Sequence, residues 1–240
     1  MDINDHLILI GGTSATGKST SLMYLDNPEG VMYLNCENGK RLPFKSKFKE
    51  YTITDPMDIY DAFTSAEENT NIHTIVIDSL TYMMSMYQAV YVDTSSNGLK
   101  AWGEFSNFFK RLMQQYVAKS SKNVIFTAHT TTQVNESEMV QEVVVKVPGS
   151  LMNVGIESFF STVIATKKVP LKILKNYQND LLHITEEDEA LGFKNCFQTR
   201  LTKETVNERI RGPLGMWKPQ ETFIDNNTQY VMNRLHEYYS

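Results

Sequence analysis

The stretch whose reading decides the fold is Leu7-Ile8-Leu9-Ile10-Gly11-Gly12-Thr13-Ser14-Ala15-Thr16-Gly17-Lys18-Ser19-Thr20. Four branched aliphatic residues in a row read as a buried strand, a glycine-bounded loop follows, and a helix is expected from about Gly17 to Tyr24. Gly12 and Gly17 bracket four residues and Lys18-Ser19 come directly after, which is the spacing G-x-x-x-x-G-K-S. Backbone N–H groups of a tight loop and of a helix start converge on one point, and that point suits a phosphate. Glycine permits torsions and a close approach that a Cβ would block. Lys18 is placed to reach β- and γ-phosphates, and the Ser19 hydroxyl to hold Mg²⁺. The candidate phosphate-binding set is therefore Gly12, Thr13, Ser14, Ala15, Thr16, Gly17, Lys18, Ser19 and Thr20.

A second sharp signal is Thr74-Ile75-Val76-Ile77-Asp78, a β-branched run that ends on a carboxylate. A central parallel strand reads this way, and its C-terminal edge is where ligands of open α/β sheets sit. Asp78 is the expected partner, through water, of a metal held by Ser19. Val31 to Cys36 is a further strand and ends on Glu37-Asn38-Gly39. Asn123 to Ala128 is another, followed by His129 and a run of threonines.

The remaining chain is read more coarsely. Lys40, Arg41, Lys45, Lys47 and Lys49 form a basic stretch of the kind that usually faces solvent. Tyr51–Thr54 is expected as a short strand, and 57–67, 79–92 and 99–119 as helices with apolar faces. Residues 133–147 alternate weakly, as a projecting hairpin does. A helix from Pro148 to Phe160, a strand over 161–165, a poorly patterned stretch over 167–192 and a strand over 196–201 come next. A turn at 212–215 and an amphipathic helix from Tyr230 to Tyr239 close the chain.

The 240 residues, 41% of them hydrophobic, suffice for one α/β domain with a full core. The net charge of −5 excludes a generally basic nucleic-acid coat but leaves room for a local basic groove. Cys36 and Cys196 match no metal spacing and are expected as small buried hydrophobes. Their scarcity fits a reducing compartment. The short acidic start, Met1 to Asp5, is unlike a targeting peptide, and no apolar run reaches membrane-spanning length. A cytoplasmic protein is expected, with no membrane partner.

In the order of these parts the chain resembles RecA-like P-loop ATPases, most of all the minimal single-domain type of bacteriophages associated with single-strand annealing and recombination. The resemblance rests on the loop at 12–19, the glutamate ending the next strand (Glu37), the Asp78 strand, the polar His129 ending the strand after it, and late basic residues. It implies a three-layer α/β core: a mostly parallel central sheet, helices on both faces and an antiparallel C-terminal extension, in one domain over 1–240. It implies ATP and Mg²⁺ as ligands, Lys18 and Glu37 as catalytic groups, Glu37 orienting the attacking water, and His129 at the γ-phosphate sensor position. Arg200, Lys203, Arg209 and Arg211 correspond to late cations that reach a neighbouring subunit's γ-phosphate. Residues 93–99 and 130–148 fall where the family's DNA-facing loops lie. The partners implied are single-stranded DNA, a single-strand-binding protein and further copies of the chain. About six residues precede the first strand, so a ring, a small assembly or a monomer is expected rather than a long filament.

The leading expectation is thus a Mg²⁺-dependent ATPase that binds single-stranded DNA and assists annealing or recombination, in host cytoplasm if of phage origin. Two others stay open: a small-molecule kinase, and a non-hydrolysing adaptor switched by ATP.

Overall fold

The computed structural model describes residues 4–136 and 138–240, so Met1 to Ile3, on which part of the targeting expectation rests, and Ser137 in the hairpin lie outside the described residues. Its centre is a sheet in the order β3-β2-β4-β5-β1-β7-β8-β9. These strands are β1 (Leu7–Gly12), β2 (Val31–Asn35), β3 (Lys49–Thr52), β4 (Thr74–Asp78), β5 (Asn123–Asn135), β7 (Thr162–Pro170), β8 (Phe193–Gln198) and β9 (Phe223–Asp225), with β6 (Val140–Val145) attached to β5 alone. From β3 to β7 every neighbouring pair is parallel, and β8 and β9 add antiparallel strands at the edge.

Both faces of the parallel part are covered, which explains why its strands are apolar runs rather than alternations. The two-residue period of a strand still sorts the side chains. Leu7, Leu9, Met32, Leu34, Ile75, Ile77, Val124 and Phe126 join one core cluster. Ile8, Ile10, Val31, Tyr33, Val76 and Ile125 join the other. Helices α1 (Asp58–Glu68), α2 (Leu80–Tyr87) and α3 (Gly98–Arg111) cover the first face through Ile59, Phe63, Met83, Phe105 and Phe109. Short helices α4 (Leu151–Val154), α5 (Leu171–Leu174) and α6 (Glu186–Leu191) follow in the second half of the chain. The closing helix α7 (Thr228–Tyr239) covers the second face through Val231, Met232 and Leu235, packed with Leu22. Each such fully buried aliphatic side chain stabilises the fold by ~1.5–3 kcal/mol. The architecture is the RecA-like α/β fold expected from the sequence: three layers, a mostly parallel sheet and antiparallel strands late in the chain.

Several boundaries differ. The helix after the glycine loop is a 3₁₀ segment over Thr20–Tyr24, not one beginning at Gly17, because Lys18 and Ser19 still belong to the turn of the loop. The third strand lies at Lys49–Thr52, two residues before Tyr51–Thr54, and it is the exposed edge, where hydrophobic patterning is weak. Between Pro148 and Phe160 the helix breaks at Gly155 (φ 82°) into α4 and a 3₁₀ turn. β7 runs to Pro170, beyond the expected 165, and β8 spans Phe193–Gln198 instead of 196–201. The stretch 167–192 holds α6, started by a capping box in which Thr185 accepts from the Asp188 N–H. Cys36 and Cys196 are buried and unpaired with each other. Among the described residues no helix is long and apolar enough to cross a membrane.

Candidate functional site

The C-terminal ends of β1, β2, β4 and β5 meet at one cavity of about 210 Å³, lined by Gly17, Lys18, Ser19, Thr20, Tyr33, Glu37, Lys40, Arg41, Asp78 and His129 among others. Neighbouring parallel strands bring these ends together: β4 lies between β2 and β5, and β5 between β4 and β1. Residues more than a hundred positions apart in the chain thereby share a wall.

The glycines of the loop are required by packing. A Cβ on Gly12 would stand 2.0 Å from Thr166 Oγ1 and 2.8 Å from Thr16 Oγ1. Those two hydroxyls hydrogen-bond each other at 2.6 Å and clamp the loop onto β7. Gly17 has φ of +98°, and a Cβ there would meet the Asn226 amide nitrogen at 2.5 Å. That amide donates to the Gly17 carbonyl at 2.8 Å, and Thr228 Oγ1 donates to Ser21 Oγ at 2.9 Å. The start of α7 therefore braces the loop from behind.

Lys18 is 7% exposed, and its ammonium donates to the carbonyls of Gly12 (3.0 Å) and Thr13 (2.8 Å). Burial lowers its pKa from 10.5 to about 8, against the opposing pull of Asp78 and Glu37. Ser19 Oγ donates to Asp78 Oδ2 at 2.8 Å, so the two oxygens expected to serve one metal are already adjacent. Tyr33 donates to the same Oδ2 at 2.7 Å, and Thr127 donates to Oδ1. Asp78 is 2% exposed, and each of its oxygens accepts from a neutral hydroxyl. Burial of the Tyr33 phenol, together with the charge of Asp78 beside it, holds it firmly protonated. The peptide bond from Asp78 to Ser79 is cis.

Glu37 sits across the cavity in a different setting. His129 Nε2 lies 3.2 Å from its Oε1, Ser79 Oγ donates to Oε1 at 3.1 Å, and Lys40 pairs with Oε2 at 3.0 Å. The His129 hydrogen bond and Lys40 bring the Glu37 pKa down from 4.5 to about 2, against a desolvation that works the other way. Glu37 is therefore an ionised acceptor at any physiological pH. His129 is fixed in turn: its backbone N–H donates to Thr81 Oγ1 at 2.9 Å, and its ring meets the edge of Tyr82.

A hard, oxygen-preferring cation such as Mg²⁺ fits the donor set of Ser19 and Asp78, since Mg²⁺ takes few protein oxygens and keeps water and phosphate for the rest. Among the described residues there is no cluster of three His, Cys, Asp or Glu side chains that would favour a softer metal.

The structure thus gathers Lys18, Ser19, Asp78, Glu37 and His129, but not the late cations. Among the described residues none of Arg200, Lys203, Arg209 and Arg211 lines this cavity. Arg200 donates to the Trp217 carbonyl at 2.7 Å. Arg209 forks across Glu142 and Glu157, at 3.0 Å each, and ties the β5–β6 hairpin to the body of the domain. Lys203 and Arg211 are exposed. Sequence reasoning missed Tyr33, Thr127 and Ser79, which look like ordinary strand or cap residues until the sheet places them beside the carboxylates. Lys40 and Arg41 are exposed, as the basic run suggested, but the sequence did not show that they also line this cavity. The interleaved Leu42, Phe44 and Phe48, which pack on the core, were the signal that this run is anchored.

A family model described as AAA domain matches residues 5–169. No curated protein sequence matches the chain. Among solved structures, the flagellar accessory protein FlaH from Methanocaldococcus jannaschii is similar at 16% identity, with 82% of this chain and 78% of that one covered and a TM-score of 0.38.

Proposed function

Since the chain belongs to the AAA domain family, we propose that it hydrolyses ATP in the cavity at the strand ends and that this hydrolysis serves the handling of single-stranded DNA. The observation that carries the first half is the convergence of Lys18, Ser19, Asp78, Glu37 and His129 on one cavity. Each is suited to one part of in-line attack of water on a γ-phosphate, where catalysis is chiefly positioning and charge stabilisation.

Lys18 exchanges two neutral carbonyls for phosphate oxygens, and charge-assisted hydrogen bonds are about twice as strong as the ones it leaves. The loop from Gly12 to Thr20 supplies backbone N–H donors, and Thr20 follows the metal-holding Ser19 at the start of the 3₁₀ helix. Mg²⁺, held by Ser19 and Asp78, would neutralise charge on the β- and γ-oxygens. Glu37 orients the attacking water as a fixed acceptor. With its pKa near 2 it is not poised to keep a proton in the ground state. His129, its Nε2 3.2 Å from Glu37 Oε1, holds Glu37 in place and stands beside it at the γ-phosphate sensor position.

The DNA half is supported by the resemblance and by continuity: β5 carries His129 in the sheet and then, without a break, becomes the arm of the hairpin with β6. A change at His129 has a direct mechanical path into that hairpin. Annealing, a single-strand-binding protein partner and assembly into a ring belong to the same proposal. In such an assembly Lys203 and Arg211 are the first candidates to reach a neighbouring site, since Arg209 is held by two carboxylates of its own chain.

The test is phosphate release from Mg·ATP at low salt, with and without single-stranded DNA, for wild type and Lys18→Ala. The expected result is release that DNA raises, high salt weakens and Lys18→Ala abolishes, by ~10³-fold or more. Full turnover by Lys18→Ala would remove the site assignment. Release that ignores DNA, with no DNA bound in the presence of ATP, would remove the second half.

A further inference from the structure

The cavity at the strand ends, at about 210 Å³, is smaller than the ~300–1,000 Å³ typical of a site for a whole small molecule. A second cavity of about 580 Å³ shares Gly17 and Thr20 with it. The two spaces lie on either side of the loop's end, and Asn226, which donates to the Gly17 carbonyl, belongs to the wall of the second.

Their chemistry differs. The first contains Lys18, Lys40 and Arg41, cations that suit a polyphosphate, beside the two carboxylates Glu37 and Asp78 already assigned to water and metal. The second contains Glu187, Asp188 and Asp225 against Lys194, bridged to Asp188 at 3.0 Å and to Asp225 at 3.4 Å, and His183, 2.7 Å from Asp225. Among the described residues Glu187 is thus the carboxylate of this wall without an ion pair. A phosphate would be repelled there. An uncharged group bearing hydroxyl or amino donors would be accepted. Apolar surface is at hand as well: Tyr24 is 54% exposed and Leu191 56% exposed, both on the wall of this cavity. Exposed aromatic faces are what a nucleobase stacks on.

We propose that the second cavity is the nucleoside subsite: the base packs on Tyr24 and Leu191, the sugar hydroxyls face the carboxylates, and the phosphates cross Gly17 and Thr20 into the cationic cavity. The inference rests on the nucleotide reading above and adds to it the direction in which the nucleotide lies. It also gives a role to the segment 183–230, which falls outside the residues matched by the family model. The wall that selects the base is thus shared between Tyr24, just after the phosphate loop, and chain that lies beyond the family match.

The experiment is titration calorimetry of the full chain with Mg²⁺ and either ATP or inorganic tripolyphosphate, for wild type, Tyr24→Ala and Leu191→Trp. Tyr24→Ala removes the stacking face, and Leu191→Trp fills the cavity. Both side chains are exposed, so the fold tolerates the changes, and tripolyphosphate binding reports that the phosphate site is intact. The expected result is about tenfold weaker ATP binding in each variant with tripolyphosphate affinity unchanged. ATP affinity equal to wild type in both variants overturns the subsite, while leaving the nucleotide reading in place. Failure of wild type to bind either ligand overturns the nucleotide reading itself.

Discussion

The phosphate loop is held from the two sides of β1, and the two sides use different chemistry. On the β5–β4–β2 side stand ionisable groups, with Asp78, Glu37, Lys40 and His129 linked to one another or to hydroxyls across the strand ends. On the β7 and α7 side the contacts are neutral: Thr166 with Thr16, Asn226 with Gly17, Thr228 with Ser21. Charged groups in a half-dry cavity respond strongly when a highly charged ligand enters, whereas neutral hydrogen bonds hold a shape whatever the charge. The first side is built to react to nucleotide and the second to keep the cradle in place. Changes on the first should therefore alter turnover or proton balance, and changes on the second should alter stability.

The largest effect expected within this contrast is that of Glu37→Gln. The amide keeps the size but no longer offers two ionised acceptors, so phosphate release should fall by ~10²-fold or more while ATP still binds. Loss of ATP affinity in step with turnover would place Glu37 with the binding groups instead. Asp78→Ala comes next. It leaves the hydroxyls of Ser19, Tyr33 and Thr127 without their shared acceptor in a buried place, and a loss of ~3 kcal/mol in urea-unfolding stability should accompany the loss of Mg²⁺ dependence. Unchanged stability would mean that the network relaxes onto water.

On the neutral side Asn226→Ala removes a single hydrogen bond to the loop, worth ~1 kcal/mol, and should lower the melting temperature by about 2–4 °C without changing the pH profile of hydrolysis. A shifted profile would erase the contrast between the two sides.

The narrowest effect, confined to alkaline pH, concerns a proton. Lys18 loses its proton near pH 8 in the folded chain and near 10.5 when unfolded, so between these values the unfolded state holds more protons and stability rises with pH. That rise should be missing in Lys18→Met. Bound phosphate restores the charge, so ATP binding at pH 9 should take up a fraction of one proton, read from calorimetry in two buffers of unlike ionisation enthalpy. Proton release, or none, would show that Lys18 is charged before the ligand arrives.

The legibility of the chain follows the same divide. β1, β4 and the sheet part of β5 are buried on both faces, so burial dictates runs of Leu, Ile and Val whose ends the sequence marks with a glycine, an acid or a histidine. β3 at the edge and β8 in the antiparallel extension are constrained on fewer sides, and their boundaries shifted by two or three residues; β7 ran five residues past its expected end, and β9 was not expected at all. Arg209 shows the limit for side chains. In sequence it is one of four late cations, and only the fold reveals that it lies between Glu142, 67 positions away, and Glu157, 52 away.

From the sequence alone came the glycine-bounded loop with its lysine and serine, the acid at the end of Asp78's strand and the parallel α/β class. These are local, because backbone torsion and two-sided burial act on neighbouring residues. The tertiary structure alone decided which hydroxyls hold Asp78, that Lys40 and His129 keep Glu37 ionised, and that Asn226 and Thr166 clamp the loop. Those partners are distant in the chain and carry no pattern of their own. Strand order brings them within hydrogen-bond reach, and strand order is a property of the whole sheet.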